Sequence, residues 1–424
     1  MAQPPSITEF RPAKLNRMFI EVMRLVNRFC AMPRARVSCE IRDVEKLRSR
    51  PSGVIITPNH SDYADAMVVT EVMRRARRFA NFMATRENFD ANFGLNGLVM
   101  QWMGGFSVNR GGENSKCQQF AKDVVKRARY DLLVFPEGEV YLLNDLVMPF
   151  KPGVAMLALD VASENRKEGR SEDPVTIVPI AIKYRYVDDV IPALDRIAAA
   201  LEMMYFGGPR PGPLYDRVYA IGLELLSRKE QEWGLHPEPA WDVYDRVHHI
   251  QKFLLESLER RYLGRVRDDF PFDRARRLIL HLLGELDNLA GRPDLSDGER
   301  TALAAELRRD VLRAEAAARS VSFADDYVIN HPTPERMAET LTKLEREIRG
   351  HNVVLPRVKR AAMISVGDPI DVRRYLAAYD ARGTRKETIL RLTRDLQDSI
   401  QALIDAANVA IDAANVTIDA GTRA

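Results

Sequence analysis

Short apolar segments that alternate with helix-forming segments are the feature of this sequence that most limits its fold. Four of them occur in the first half of the chain, at residues 53–57, 79–84, 131–135 and 175–182. Each is bounded by loop or helix-forming sequence and rich in branched or aromatic side chains, which is typical of a buried strand. Strands that alternate with helices predict an α/β fold, in which helices flank a mostly parallel sheet. Pro179 interrupts the last segment, so we expect it near a strand end or at a bulge.

The pattern changes after residue 187. From residue 188 to about 349, apolar side chains recur at helical spacing, and a strand-forming pattern returns only at residues 362–366. The simplest organisation is an α/β domain with a long all-helical insertion, and a separate helical domain is the alternative. We divide the chain into a basic, amphipathic N-terminal helical region, an α/β core, the helical insertion, and the final strand with the C-terminal helix of the core. These regions are residues 1–50, 51–187, 188–360 and 361–424.

The charge of the chain is unevenly distributed. The net charge of +3 is too small to indicate nucleic acid, and we predict no nucleic-acid partner. Residues 11–50, however, carry eleven Lys or Arg against four Asp or Glu, and such a local excess suits an anionic membrane surface. Three cysteines, no apolar leader and no run of about 18 apolar residues predict a cytoplasmic protein that binds the membrane peripherally.

Two segments could contact lipid or pack within the protein. Residues 14–31 place seven apolar side chains at helical spacing, with three arginines among the polar positions. This pattern fits an interfacial membrane helix and, equally, a helix packed on the domain. Residues 91–106 are rich in Gly, Met and Trp and almost uncharged. They fit either a lipid- or acyl-facing element or a buried helix under the site.

His60 and Asp65 follow the first predicted strand, in the sequence NHSDYAD of residues 59–65. Within one helix, five positions would separate the two side chains by about 140°, so they meet only if His60 precedes the helix and Asp65 lies in its first turn. Pro58 and the cap-forming residues that follow it favour that arrangement. A carboxylate bonded to one imidazole nitrogen leaves the other nitrogen to accept a proton. Because no Ser or Cys in a nucleophile-elbow sequence accompanies the pair, we predict general-base activation of a substrate hydroxyl.

Two further loops carry polar side chains at predicted strand ends. The sequence FPEG at residues 135–138 closes a strand with Glu137 and Gly138, and the glycine-rich residues 104–112 contain a single arginine, Arg110. A guanidinium in such a loop can reach a phosphate with its forked donors. A base, an acid and a cation at strand ends together predict a site for phosphorylated hydroxyl substrates.

Four blocks of this sequence resemble, in order and spacing, those of the glycerolipid acyltransferases, which include the 1-acylglycerol-3-phosphate (lysophospholipid) acyltransferases. The blocks are residues 59–65, 105–110, 135–138 and 178–180, and the sequences FKPGVA at 150–155 and VGDPI at 366–370 agree as well. The resemblance covers roughly residues 50–186 and 362–410. Each block is short and permissive by itself, whereas four in order are specific.

The resemblance implies an O-acyltransferase of phospholipid biosynthesis. His60 would deprotonate a hydroxyl of the lysophospholipid-type acceptor, which attacks the thioester of acyl-CoA or acyl carrier protein, and Asp65 would orient His60. Arg110 would bind the phosphate of the acceptor. Neither a metal nor a cofactor is implied, since the acyl donor is a co-substrate.

The resemblance also implies that Glu137 and Gly138 shape the acceptor site and that Pro179 helps to form the acyl-donor side. One departure bears on the acceptor. Where the family commonly has a hydroxyl residue and an arginine after the third block, this chain has Glu139 and Val140, which weakens the binding of a phosphate dianion. A non-catalytic lipid- or acyl-carrier-binding protein and a thioester hydrolase are the alternative functions.

Overall fold

The computed structural model describes residues 10–421, except 52, 91–93, 110–113, 171–173, 293, 324–326, 330, 351–352 and 354; for 87, 290 and 412–421 it describes the backbone alone. The chain divides into two compact units. The α/β unit comprises residues 1–188 and 357–424, and the helical unit comprises residues 189–356.

The α/β unit contains one eight-stranded sheet. Its strands are β1 (Val37–Arg42), β2 (Ile55–Pro58), β3 (Ala80–Thr85), β4 (Gly105–Val108), β5 (Asp131–Leu133), β6 (Thr176–Tyr186), β7 (Arg360–Val366) and β8 (Ile370–Asp371). The order across the sheet is β1-β7-β6-β2-β5-β3-β4, and β8 also pairs with β6. The five strands from β6 to β4 are parallel, whereas β7 and β8 run antiparallel to β6. The predicted α/β fold with a mostly parallel sheet is confirmed.

The helices follow the apolar periodicity closely. In the α/β unit they are α1 (Arg17–Val26), which continues through a π-helical turn at Asn27–Ala31, α2 (Met32–Ala35), α3 (Glu45–Arg48), α4 (Asp65–Ala76), α5 (Arg86–Asp90), α6 (Leu95–Trp102), α7 (Ser115–Arg127) and α8 (Gly153–Lys167). The helical unit contains α9 (Ile191–Phe206), α10 (Leu214–Trp233), α11 (Val243–Leu263), α12 (Pro271–Asn288), α13 (Asp297–Ser320) and α14 (Pro334–Arg349), and the chain ends with α15 (Arg373–Asp380) and α16 (Arg385–Gly421) in the α/β unit.

Both faces of the sheet are covered, as a parallel sheet requires. Side chains alternate along β2, so Ile55 packs into one core cluster and Ile56 into the other. The cluster around Ile55 contains side chains of α7, α8 and α16, and the cluster around Ile56 contains side chains of α4. Because β2 is buried on both faces, its position is fixed on both sides, and the loop that follows it starts from a rigid point.

Pro179 lies inside β6 and not at a strand end. The neighbouring strand changes at this residue: β8 pairs with Thr176 and Ile177, and β7 pairs with the residues from Ile180 onward. The ladder on that side is therefore interrupted where the chain has no amide hydrogen to donate. We expected Pro179 near a strand end or at a bulge; it is the fourth residue of β6, at the gap between two consecutive partner strands.

No helix in the described ranges is both long and apolar enough to cross a membrane. The alternative of a buried helix for residues 91–106 was wrong for α6, because Leu95, Leu98 and Trp102 are 64%, 46% and 43% exposed.

Candidate active site

The candidate site lies at the carboxyl edge of the parallel strands, where β2 and β5 end side by side. β2 pairs with β5 through Ile55 and Ile56. His60 follows the end of β2 by two residues, and Glu137 follows the end of β5 by four. Parallel pairing thus brings together two loops that are 77 residues apart in the sequence. Ligand sites of open α/β sheets form at this edge.

His60 and Asp65 form a hydrogen-bonded pair. Nδ1 of His60 lies 2.9 Å from Oδ2 of Asp65, and Asp65 is the first residue of α4, which is the arrangement that their spacing requires. The Asp65 side chain is completely buried, whereas the imidazole is 21% exposed and stacks on the ring of Phe135. With Nδ1 donating to the carboxylate, Nε2 is the proton acceptor. Within the described part of the chain, no group bonds to Nε2.

Three donors hold the Asp65 carboxylate. Besides the imidazole, the Asp62 amide donates to Oδ2 at 3.0 Å, and the Tyr184 hydroxyl donates to Oδ1 at 2.6 Å. Burial raises the pKa of Asp65, and the hydrogen bond and charge of His60 oppose that effect. Burial and the charge of Asp65 raise the pKa of Tyr184 well above its ordinary value. The phenol therefore keeps its proton and remains a donor to the carboxylate.

Tyr184 and Arg360 are site residues that sequence reasoning missed. Arg360 donates to Oδ2 of Asp62 at 2.6 Å, and its guanidinium lies 5.1 Å from the centroid of the Tyr184 ring. Oδ1 of Asp62 accepts the Ala64 amide at 2.7 Å. Arg360 thereby fixes the turn between His60 and Asp65. Tyr184 reaches the site from β6 and Arg360 reaches it from β7. In the sequence, a tyrosine in a mainly apolar strand was the one signal of such a role.

Glu137 lies beneath the site and binds backbone amides. Its Oε1 accepts the amide of His60 at 2.6 Å, and its Oε2 accepts the amide of Met148 at 3.1 Å. The residue is 3% exposed. Burial raises its pKa to about 7, although both amides favour the charged form. In this position Glu137 orients the backbone of His60, and its part in shaping the acceptor site remains a prediction.

Gly138 makes a close approach that a side chain would block. Its φ is +73°, and a Cβ atom there would lie 2.7 Å from Cε of Lys151. The aliphatic part of Lys151 therefore crosses the position that only glycine leaves open. Sequence reasoning had not assigned Lys151 to the site, although it lies in the FKPGVA sequence. Its proximity to Gly138 brings a cation to the loop that lacks the arginine usual in the family.

Arg110 lies outside the described residues, so its side chain is not placed. Its described neighbour Asn109 directly follows β4, at the same carboxyl edge as His60. The Asn109 amide donates to Oδ1 of Asn114 at 2.8 Å, and Nδ2 of Asn114 donates to the Asn109 carbonyl at 2.6 Å. These bonds join the described residues on either side of the predicted phosphate-binding arginine.

Pro179 is a buried neighbour of the loop that bears His60. It pairs with Thr57 of β2, and its carbonyl accepts the amide of Gly367 at 2.8 Å. A Cβ atom on Gly367 would lie 2.8 Å from Cγ of Pro179. Pro179 therefore packs between β2 and Gly367 and supports the position of β2. Its predicted place on the acyl-donor side remains a prediction.

The described residues contain no group of three or more His, Cys, Asp or Glu side chains that could hold a metal ion. The titratable groups at the site are instead arranged as one exposed imidazole on a buried, fully bonded carboxylate. Such a pair can take a proton from a substrate and return it.

The comparison with protein families agrees with this geometry. The acyltransferase family model matches residues 39–183, which include His60, Asp65, Glu137 and Pro179. This segment belongs to the acyltransferase family. The match to the acyltransferase domain ends before the helical unit begins. No curated protein matches the chain.

Proposed function

We propose that the protein transfers a fatty acyl group from the thioester of acyl-CoA or acyl carrier protein to a hydroxyl of a lysophospholipid-type acceptor, such as 1-acylglycerol-3-phosphate. The observation that carries this proposal is the exposed imidazole of His60 on the buried Asp65 carboxylate, at the edge where β2 and β5 end. Among the described residues, no Ser, Thr or Cys side chain hydrogen-bonds to His60, which supports direct attack by the acceptor hydroxyl.

The proton follows one path in this reaction. His60 Nε2 takes the proton of the acceptor hydroxyl while its oxygen attacks the thioester carbonyl carbon. The resulting imidazolium is stabilised by Asp65, whose carboxylate is held by Tyr184 and the Asp62 amide. The tetrahedral intermediate then breaks its C–S bond, and the thiolate takes the proton from His60. The products are an ester and a free thiol.

The loop after β5 supports a restriction on the acceptor. Lys151 lies against Gly138, while Glu139 adds a negative charge one residue further on. Because the Glu139 carboxylate repels each negative charge of the headgroup, a phosphodiester monoanion is bound with less repulsion than a phosphomonoester dianion. We expect lysophospholipids with a phosphodiester headgroup to be preferred over 1-acylglycerol-3-phosphate, and Glu139→Arg to shift that preference toward the dianion.

An exposed apolar face on α1 and α6 supports a membrane as the place of the reaction. The two helices are joined by the edge-to-face contact of Phe19 with Trp102, whose ring centroids are 5.2 Å apart. The apolar face comprises side chains that are 43–78% exposed, namely Met18, Val22, Leu25, Phe29, Leu95, Leu98 and Trp102. Exposed apolar side chains that share one face of a helix, as Met18, Val22 and Leu25 do at i, i+4 and i+7, are typical of a membrane interface. We propose that this face lies in the headgroup region of an anionic bilayer, which makes the protein peripheral on the membrane.

The membrane proposal is tested by cosedimentation with phosphatidylcholine vesicles that contain or lack phosphatidylglycerol. The double variant Met18→Glu/Phe29→Glu is expected to lose vesicle binding, because two charges would enter the bilayer interface. Leu312→Glu is the matched control, since Leu312 is 62% exposed but lies in the helical unit. Equal loss in both variants, or undiminished binding by the double variant, contradicts the proposal.

Activity is tested by the release of free thiol from acyl-CoA and acyl carrier protein, with and without a panel of lysophospholipids. The wild-type protein is expected to release thiol only with an acceptor, and His60→Ala is expected to abolish release. His248→Ala, at an exposed histidine of the helical unit, is expected to retain full activity. Full activity in His60→Ala rules out the mechanism. Fatty acid release without acceptor would identify a thioester hydrolase, and membrane binding without any thiol release would identify a non-catalytic lipid-binding protein.

A further inference from the structure

The helical unit contains an apolar cavity of about 190 Å³. Four helices, α10, α11, α13 and α14, contribute to its wall. An apolar cavity of about 150 Å³ already holds benzene, so this one is large enough for a hydrocarbon segment. Its wall includes Val218, Tyr219, Leu226, Ile250, Leu254 and Leu344. Tyr219 and Ile329 on the wall are 39% and 42% exposed, so the cavity reaches the surface.

One buried cation, Lys343 on α14, belongs to this wall. The residue is 2% exposed. Its ammonium donates to the carbonyl of Ser322 at 2.8 Å and lies 5.6 Å from the centroid of the Tyr327 ring. Among the described residues, no carboxylate forms an ion pair with it. Glu339, one turn earlier on α14, accepts the hydroxyl of Tyr327 instead.

A buried ammonium that no carboxylate of the described residues neutralises is costly, and Lys343 lies beside an open cavity. Burial lowers the pKa of Lys343 to about 7, although the charge of Glu339 opposes that effect. An anion in the cavity would stabilise the charged form. The second lysine of the wall, Lys229, is placed differently: it is one-third exposed and pairs with Glu232 at 2.8 Å.

We propose that the cavity binds an aliphatic monocarboxylate, a free fatty acid, with its carboxylate on the ammonium of Lys343 and its hydrocarbon chain along the apolar wall. The single ammonium of Lys343 suits a monoanion, whereas a phosphate dianion would need further donors. A chain longer than the cavity would leave it past Tyr219 and Ile329. The site involves no residue of the acyltransferase domain, so it is independent of the proposed function.

The test titrates the full-length protein with octanoate, decanoate and palmitate, followed by the fluorescence of Trp233 on the cavity wall and by calorimetry. Lys343→Met is expected to weaken binding about 10- to 100-fold, because it removes a charge-assisted hydrogen bond and keeps an apolar shape. Lys229→Met is the matched control and is expected to change affinity less than twofold. The fatty alcohol of equal length is expected to bind wild type and Lys343→Met equally.

A second variant fills the cavity and leaves the cation in place. Gly222 lies on the wall, and a Cβ atom there would stand 3.9 Å from the nearest Leu344 methyl, an ordinary contact. Gly222→Leu is expected to abolish carboxylate binding without lowering the melting temperature, since leucine also favours the helix. Three results would overturn the proposal: no binding of any carboxylate by wild type, unchanged affinity in both Lys343→Met and Gly222→Leu, or a larger loss in Lys229→Met than in Lys343→Met.

Discussion

The two buried carboxylates of the candidate site have different partners from two buried glutamates of the helical unit. Asp65 and Glu137 are bonded by amides, an imidazole and a phenol, and no arginine of the described residues contacts them. In the helical unit, Glu202 and Glu259 each accept two hydrogen bonds from one arginine, Arg217 and Arg274 respectively. Arginine neutralises a carboxylate permanently, whereas an imidazole can exchange its proton. Asp65 therefore has a partner that can exchange a proton, whereas Glu202 and Glu259 have partners that cannot.

The arginine pairs of the helical unit repeat along the chain. Glu202, Glu230 and Glu259 lie near the ends of α9, α10 and α11, and each pairs with an arginine in the first turns of the next helix, namely Arg217, Arg246 and Arg274. Each arginine follows an aspartate. Burial raises the pKa of Glu202, but Arg217 and the Arg210 amide outweigh it, and the net pKa is lowered. For Glu137, with no arginine, burial prevails and the pKa rises to about 7.

The largest effect of a substitution is expected at Asp65, where loss of the negative charge should reduce acyl transfer. Asp65→Asn keeps the shape of the side chain but loses the charge that stabilises the imidazolium, so acyl transfer is expected to fall about 10³- to 10⁴-fold. Glu259→Gln makes the same chemical change in the helical unit and is expected to alter transfer less than twofold. Thiol release with the preferred acceptor, at matched secondary structure by circular dichroism, measures both. A comparable loss of transfer in the two variants would show that the carboxylates do not differ in role.

The next largest effect is expected at Arg274. Arg274→Met leaves Glu259 buried without its cation, which should lower the free energy of unfolding by about 3–5 kcal/mol. Urea denaturation measures the loss. The double variant Glu259→Leu/Arg274→Met should recover most of it, because no unpaired charge remains. A double variant as unstable as Arg274→Met would mean that the packing of Arg274, and not its charge, holds α11 against α12.

Glu137 and Glu202 are expected to respond to pH in opposite directions. Because the pKa of Glu137 is raised in the folded state, its stabilising contribution is fully present below about pH 4.5 and is lost as pH rises through about 7. Between pH 5 and 8, wild type should lose about 3 kcal/mol of unfolding free energy relative to Glu137→Gln. The lowered pKa of Glu202 gives a contribution that is lost as pH falls, so Glu202→Gln should converge on wild type in acid. Parallel pH profiles of wild type and Glu137→Gln would refute the assignment.

The smallest effect is expected at Tyr184. Tyr184→Phe removes one of three donors to Asp65, a loss of about 1.4 kcal/mol in transition-state stabilisation, or tenfold in kcat. KM for both substrates should stay unchanged, since Tyr184 is completely enclosed and does not reach the substrate. Tyr186→Phe, two residues later in the same strand, removes a hydroxyl that does not contact Asp65 and should leave kcat unchanged. An increase in KM with constant kcat would place Tyr184 in substrate binding.

The sequence was sufficient to predict local structure where the interacting residues are close along the chain. The five-residue spacing of His60 and Asp65 required a strand, a loop and a helix start, and α4 begins at Asp65. Apolar periodicity predicted that the helical stretch ends at about residue 349, and α14 ends at Arg349. Neither periodicity nor spacing could predict that Tyr184 and Arg360 belong to the site, because their contacts depend on which strands are neighbours in the sheet.

The repeated glutamate–arginine pairs of the helical unit were not predicted from the sequence, for a different reason. Helices were predicted from apolar spacing, which ignores the polar face. The Glu202–Arg217 and Glu259–Arg274 pairs are 15 residues apart, across a helix end and a loop, where neither helical nor strand periodicity relates two positions. A search for self-similarity at 28–29 residues would have found them.

The pairing of β6 with β7 has a consequence for the whole chain. The two strands are antiparallel, and the Val187 amide donates to the Lys359 carbonyl at 2.8 Å, directly before the chain leaves the α/β unit and directly after it returns. The helical unit therefore occupies the place of the loop in a β-hairpin. The hydrogen bonds between the two strands of a hairpin do not depend on the content of the loop, provided that the two ends of the loop lie close together. Lengthening the loop adds little to the entropic cost of closing it. An entire helical unit can thus be carried at this position, a few residues along the chain from Tyr184 and Arg360, without any change in the strands that hold His60 and Asp65.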